Sequence, residues 1–294
     1  MQSSIHTKDF HVIRQIKNTN RSKPLEGIND RNYTGLSGWK ECSRLMYYKA
    51  KGTPQKPFDS RVYRIFRQGH DGETQVVEVL KKIPQFLIQE HDPETGRQFE
   101  VSFYGGHVKG HFDGRVRSEF YFGETSMKLL EIKTANDRNF NSFKKHGVKK
   151  TNETYYAQVQ TYMLGSQEPD TWDNPALNQC LFVVFNKNTA ELHVEMIDYS
   201  PDEAQYYLDC FYNSITARDL PPKISDNPNW YQCKFCDFAE HCHKDKPIEL
   251  HLVRQCKFTQ PNTTSGNWYC TNEGCEYYNQ KAESTGEKCQ SINE

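Results

Sequence analysis

The sequence predicts an α/β protein with a mixed central sheet flanked by helices, followed by a small cysteine-rich metal-binding unit. Helical and strand-like patterns alternate through residues 35–215 in the order helix, three or four strands, helix, strands, helix. One strand, MKLLEIK (127–133), is apolar apart from its lysines and a single carboxylate. After PPK (221–223) the composition shifts to Cys, His, Trp and Asn, and seven of the ten cysteines follow residue 230.

Composition bounds the reading. A chain of 294 residues has room for one large domain or for a core with an appendage, and 35% hydrophobic and 26% charged residues describe a globular, rather polar protein. No apolar run is long enough to span a bilayer, and the opening MQSSIHTKDFHVIRQ lacks the apolar segment of a secretory signal. The expectation is a cytoplasmic protein with no membrane contact and with reduced cysteines, whose clustering then points to metal sites. A net charge of −1 exerts no global pull on a polyanion, so nucleic-acid binding would rest on local basic patches.

Residues 1–30 read as a polar arm without periodicity, and 31–225 as the core. GLSGWKECSRLMYYKAKG (35–52) predicts a short helix entered after Gly38 and left near Gly52. SRVYRIFRQGHDGETQVVEVLKKI (60–83) has helical spacing with a glycine interruption at Gly69–Gly72. Residues 85–106 predict two strands around the turn DPETG (92–96), and HVKGHFDGRV and MKLLEIK supply more. DRNFNSFKKHGVKK (137–150) is polar and basic, and reads equally as a solvated lysine-rich loop or as one that contacts phosphates. TNETYYAQVQTYMLGS (151–166) predicts a helix capped by Thr151 or Asn152. CLFVVFNKNTAELHVEMI (180–197) is a hairpin, and SPDEAQYYLDCFYNSI (200–215) a helix with Pro201 at its first position. Cys180 and Cys210 fall among apolar neighbours and read as packing residues.

The chemistry concentrates in residues 107–136. Asp113 follows the alternating segment HVKGHF. Glu131 and Lys133 are two apart on an apolar strand, so both project from one face while Leu130 and Ile132 point to the other. Two carboxylates on adjacent strands, with the Ile132 carbonyl between Glu131 and Lys133, form a seat for a hard cation such as Mg²⁺ or Mn²⁺. A lysine there would stay protonated and could orient water or stabilise developing negative charge. An isolated Glu-x-Lys ordinarily marks the solvated face of an edge strand. Here it follows a GHFDG turn and precedes Gln158 and Tyr162 at helical i, i+4 spacing.

In that order, His70, Asp113, Glu131-Ile132-Lys133 and Gln158-x-x-x-Tyr162 resemble the RecB-type branch of the PD-(D/E)XK nuclease superfamily, over roughly residues 35–245. The stretches GHFDG, EIKT and YYAQVQTYM are similar to those of phage-encoded exonucleases. The resemblance implies a restriction-endonuclease-like core. It implies Asp113 and Glu131 as metal ligands with the Ile132 carbonyl, Lys133 as the catalytic lysine, and Gln158 and Tyr162 as supports that meet DNA. It also implies a helical ligand, for which His70 is preferred and Glu73 is the alternative.

Cys233-x2-Cys236-x5-Cys242 lets three thiolates converge, and Cys42, isolated in sequence, is the natural fourth. Residues 226–250 would thus be stapled to the start of the core. The pattern resembles the iron–sulfur staple of the CRISPR-adaptation and AddB-type exonucleases, which implies a [4Fe–4S] cluster. Zn²⁺ is the alternative, with His241 or His243 able to replace one thiolate. In the tail (251–294), Cys256, Cys270, Cys275 and Cys289 predict a zinc-ribbon-like site, with His251 as a substitute ligand.

The resemblance and the residues together point to a metal-dependent DNA exonuclease serving phage-type recombination, end resection or DNA degradation. Its expected partners are DNA ends and a helicase or recombination protein. The alternative is a non-catalytic DNA-end-binding accessory protein of the same fold; hydrolysis of RNA is a third option.

Overall fold

A computed structural model describes residues 32–53, 55, 60–123, 126–168, 175–244, 253–275 and 278. The 1–30 arm, His251 and Cys289 lie outside these residues.

The chain opens with the two-residue strand β1 (Thr34–Gly35) and a single 3₁₀ turn, Leu36–Gly38. Helix α1 (Ser43–Ala50) then starts after Cys42 and ends before Gly52, whose φ is +70°. It begins at Ser43 rather than directly after Gly38, because the residues after Gly38 form the approach to Cys42 rather than a helical turn.

Helix α2 (Ser60–Lys81) is continuous through Gly69 and Gly72, which corrects the expected interruption. Gly72 is there for close packing, since a Cβ would come within 2.6 Å of Thr134 Cγ2. Only the second half of α2 buries a stripe, made of Gly72, Val76, Val77 and Leu80.

Strands β2 (Leu87–Gln89), β3 (Phe99–Phe103), β4 (Val108–Phe112) and β5 (Gly114–Arg117) follow, then the short helix α3 (Glu119–Phe122) and the long strand β6 (Lys128–Ala135). The two strands expected around the turn at 92–96 enter different sheets. β3 pairs with β4 in a three-stranded sheet of order β1-β4-β3, whereas β2 pairs with β5.

Residues 137–151 are helix α4 (Asp137–Thr151), not a loop. Its cap is Asn136, whose side chain accepts from Asn139 N at 2.9 Å, and Phe140, Phe143 and Val148 are buried along it. The lysines dominated the composition there, while the i, i+3 and i+8 apolar positions decided the structure. Gly147, at φ 74° and ψ 174°, kinks its last turn.

Helix α5 (Glu153–Gly165) is capped by Asn152 and buries Ala157 to Met163 without a break. It is a central helix, held between the sheet and α6 (Pro201–Thr216). The hairpin β7 (Gln179–Asn186) and β8 (Leu192–Asp198) completes a five-stranded sheet of order β2-β5-β6-β7-β8, mixed because only β6 and β7 run parallel. Short helices α7 (Tyr231–Lys234) and α8 (Ala239–His243) and the hairpin β9 (Thr259–Pro261) and β10 (Trp268–Cys270) follow.

Strand β6 divides the core. Leu130 and Ile132 pack with Val76, Val77 and Leu80 of α2, while Leu129 and Ala135 join the larger cluster formed with α4, α5 and α6. Fully burying a leucine or isoleucine stabilises by about 1.5–3 kcal/mol, so this alternation fixes the register of β6 against slippage. No helix of the described residues is long and apolar enough to cross a membrane.

Candidate active site

The face of β6 opposite α2 carries Glu131 and Lys133, as the period of two requires. Asp113 arrives from the junction between β4 and β5, where the chain leaves one sheet and enters the other. The antiparallel register Gly114↔Leu130 sets Asp113 beside Glu131, and Asp113 Oδ2 accepts from Ile132 N at 2.7 Å. This bond ties the carboxylate to the backbone between Glu131 and Lys133.

The site is deeply buried. Glu131 is 1% exposed and its Oε1 accepts from Lys133 Nζ, the two forming an ion pair. Burial pushes the Glu131 carboxyl up to about 8 against the pull of Lys133, with Asp113 adding to the rise. Desolvation also raises Asp113, opposed by Lys133 and by the Ile132 N–H. Burial would lower the Lys133 ammonium, yet the Glu131 and Asp113 charges together hold it above its ordinary value. The lysine is therefore a fixed cation between two carboxyls that compete for charge. Its Nζ also lies 5.2 Å from the centre of the Tyr155 ring.

Helix α5 covers this face. Gln158 Nε2 donates to Tyr162 Oη at 2.7 Å, and both side chains are buried. Burial and the nearby Glu131 raise the Tyr162 hydroxyl, which stays protonated. Tyr162 reaches the site across Gly110 of β4, where a Cβ would stand 2.3 Å from its ring. Among the described residues, two buried acceptors here have no hydrogen-bond partner, Glu131 Oε2 and Gln158 Oε1.

His70 and Glu73 sit together on α2, His70 Nδ1 lying 3.2 Å from Glu73 Oε2. Their side chains are 70% and 30% exposed. Glu73 adds to the raising of Asp113 and Glu131, and His70 opposes it at Asp113. Both candidates for the helical ligand therefore sit on α2 within electrostatic reach of Asp113.

Two features of the site were not read from sequence. Cys180, taken as a packing residue, lies in the parallel register opposite Leu129 and against Glu131, and burial raises its thiol well above the ordinary range. Tyr155 also faces the Lys133 ammonium. Neither has a local signal, because both depend on which strand and helix lie beside β6. Of the lysines in 144–150, Lys149 pairs with Glu203 and Lys144 lies over Phe140.

Cys42, Cys233, Cys236 and Cys242 line one cavity, with Arg44 and Tyr48. Arg44 Nη1 donates to Cys242 Sγ at 3.9 Å. The four thiols are free, and three of them come from α7, α8 and the link between these helices, 191 or more residues after Cys42. Among the described residues, no three His, Cys, Asp or Glu side chains stand as a closed ligand set for a single ion.

No family model and no curated protein matches the chain. Among solved structures it is similar to the crystal structure of SSO0001, with a TM-score of 0.43 and 15% identity over 84% of this chain and 98% of that one. It is also similar to an alkaline exonuclease (LHK-Exo) from Laribacter hongkongensis, with a TM-score of 0.36 and 15% identity over 62% of this chain and 86% of that one. The same enzyme in complex with dAMP gives a TM-score of 0.38 and 12% identity over the same shares, 62% and 86%. These superpositions are loose.

Proposed function

We propose that the chain is a divalent-metal-dependent nuclease that hydrolyses phosphodiester bonds at DNA ends. One observation carries the reading: Asp113, Glu131 and Lys133 meet at a buried point, with Ile132 N–H tying Asp113 to the strand of the other two. The donor set fits a hard cation. Glu131 Oε2 is buried without a hydrogen-bond partner among the described residues, and a carboxyl raised to about 8 by burial is one that a nearby cation would ionise. Mg²⁺ keeps several waters and takes one or two carboxylates, so two are enough.

A cation held by Asp113 and Glu131 would supply charge neutralisation at the scissile phosphate and make a water more acidic. The chain's own residues do the rest. Lys133, protonated throughout, places a donor beside the carboxylates where it can orient the attacking water or offset charge developing on the phosphate. Asp113 is held at one oxygen by Ile132 N–H. Tyr162 and Gln158 pack over the pair and exclude bulk water. His70, with Glu73 beside it as the alternative, is the candidate third ligand on α2.

The cavity at Cys42, Cys233, Cys236 and Cys242 supports a [4Fe–4S] staple. Cys42, Cys233, Cys236 and Cys242 would hold such a cluster as its thiolate ligands. Closing a loop of this length would stabilise the fold by restricting the unfolded chain. Anaerobically purified protein should be brown, and Cys42→Ser or Cys233→Ser should remove the colour. A colourless preparation carrying zinc there would reject the cluster.

The catalytic reading is tested by degradation of end-labelled linear DNA with Mg²⁺ or Mn²⁺, for the wild type and for Asp113→Asn, Glu131→Gln and Lys133→Met. Metal-dependent loss of label in the wild type alone supports it. A wild type inactive on single- and double-stranded DNA, or variants as active as the wild type, overturns it. A wild type that binds DNA ends without cleaving them would identify an accessory protein instead.

A further inference from the structure

Strand β8 ends the five-stranded sheet, and among the described residues no strand pairs with its outer edge. Such edges are ordinarily shielded by lysine, proline, a bulge or very short length. β8 has none of these. It runs seven residues as LHVEMID, and its register with β7 is unbroken from Gln179↔Asp198 to Phe185↔Leu192. One of its faces is also apolar. Leu192, Val194 and Met196 are 42%, 50% and 38% exposed, beside Phe185, Val183 and Leu181 of β7. Helix α2 packs on those β7 side chains and leaves the β8 stripe open to solvent.

The same three residues carry the free backbone groups. Asn186 N donates to Glu191 O at 2.9 Å, and antiparallel pairs alternate between hydrogen-bonded and non-bonded. Counted from Asn186 and Glu191, residues Leu192, Val194 and Met196 fall in non-bonded pairs with β7. Their N–H and C=O groups therefore point to the open edge, where a further strand would meet them. His193 and Glu195 project from the other face, over α4. The His193 ring lies edge-on to Phe140 with centroids 6.4 Å apart, and Glu195 Oε2 accepts from Val148 N at 2.9 Å.

We propose that a second copy of this chain fills the edge, the two β8 strands pairing antiparallel about a two-fold axis through Val194. Charge selects both the partner and the register. With the axis there, His193 stands opposite Glu195 of the other copy, and Leu192 opposite Met196, each pairing occurring twice. Leu192, Val194 and Met196 then meet only one another, so every outward N–H and C=O among them faces a match. An axis at Glu195 would oppose that carboxylate to its own copy, and an axis at His193 would set Glu195 against Glu191. The two sheets would join into one, closing both edges and bringing the apolar stripes together. Both Asp113–Glu131–Lys133 sites would lie on one side of it, their β6 strands five spacings or about 24 Å apart. The pairing rests on the edge alone, so it stands or falls separately from the nuclease reading.

The test is sedimentation equilibrium of the full chain at about 10 μM. The wild type should show twice the mass of one chain. Val194→Lys sets two ammoniums against each other at the axis and should sediment as a monomer, as should Leu192→Lys and Met196→Glu. The double variant Leu192→Lys/Met196→Glu places each introduced ammonium opposite the introduced carboxylate of the other copy, and should regain the dimer. These side chains face solvent, so thermal midpoints near that of the wild-type chain are expected and are measured as the control for folding. A dimeric Val194→Lys, or a double variant no better than the single ones, overturns the pairing. A monomeric wild type also overturns it, and residues 1–30 newly cleaved by protease in Val194→Lys would then give the edge to that arm.

Discussion

Ile132 N–H donates to Asp113 Oδ2 at 2.7 Å, so the carboxylate from the β4–β5 junction is fixed to the strand that carries Glu131 and Lys133. The same amide–carboxylate bond therefore holds the fold and aligns the site. An asparagine can keep that bond through its carbonyl oxygen. Asp113→Asn should leave the thermal midpoint within a few degrees of wild type while lowering Mg²⁺-dependent DNA hydrolysis by roughly 100-fold or more. Asp113→Ala should lose activity and also stability, by about 1–3 kcal/mol, measurable by urea unfolding.

Lys133 is ion-paired with Glu131, and the Glu131 and Asp113 charges keep it protonated. Lys133→Met should lower the hydrolysis rate by roughly 10²–10³-fold with little change in DNA affinity. Glu131 would then take up a proton rather than remain a buried anion, so the fold should survive. Single-turnover kinetics beside a binding titration separate the two effects.

In metal-free protein, stability should fall as pH rises. Burial lifts Glu131 from 4.5 to about 8, so between those values the folded chain holds a proton that the unfolded chain has released. Fewer protons on the unfolded state means that stability decreases with pH across this window. Asp113, also raised, adds in the same direction, while Lys133 is charged throughout and adds nothing. Urea midpoints in EDTA should drop across the window for wild type and drop less for Glu131→Gln. Added Mg²⁺ should restore most of the loss at its upper end.

Gly110 has no room for a side chain, since a Cβ would meet the Tyr162 ring at 2.3 Å and Leu36 at 2.9 Å. Gly110→Ala should destabilise by about 1–3 kcal/mol and displace Tyr162 from the carboxylates. Tyr162→Phe removes only the hydroxyl that accepts from Gln158, and should cost about 1 kcal/mol. Comparing the two by calorimetry and by activity distinguishes the packing of the ring from its hydrogen bond.

Periodicity by itself determined that Glu131 and Lys133 share one face of β6 and that Leu130 and Ile132 occupy the other, because side-chain alternation is a property of the strand alone. It also determined helices α5 and α6 and the β7–β8 hairpin, whose caps and turn residues are local signals. Cysteine spacing pointed to Cys42 as the companion of Cys233, Cys236 and Cys242, and these four line one cavity. Only the tertiary structure decided the rest. The basic run at 137–150 is a helix because Phe140, Phe143 and Val148 find a core to enter. Gly69 and Gly72 continue a helix because Gly72 packs on Thr134. The sheet register set Cys180 beside Glu131, and the packing of α2 brought His70 and Glu73 into electrostatic reach of Asp113. Each of these outcomes depends on a partner distant in the chain, and a local pattern carries no information about which partner will be there.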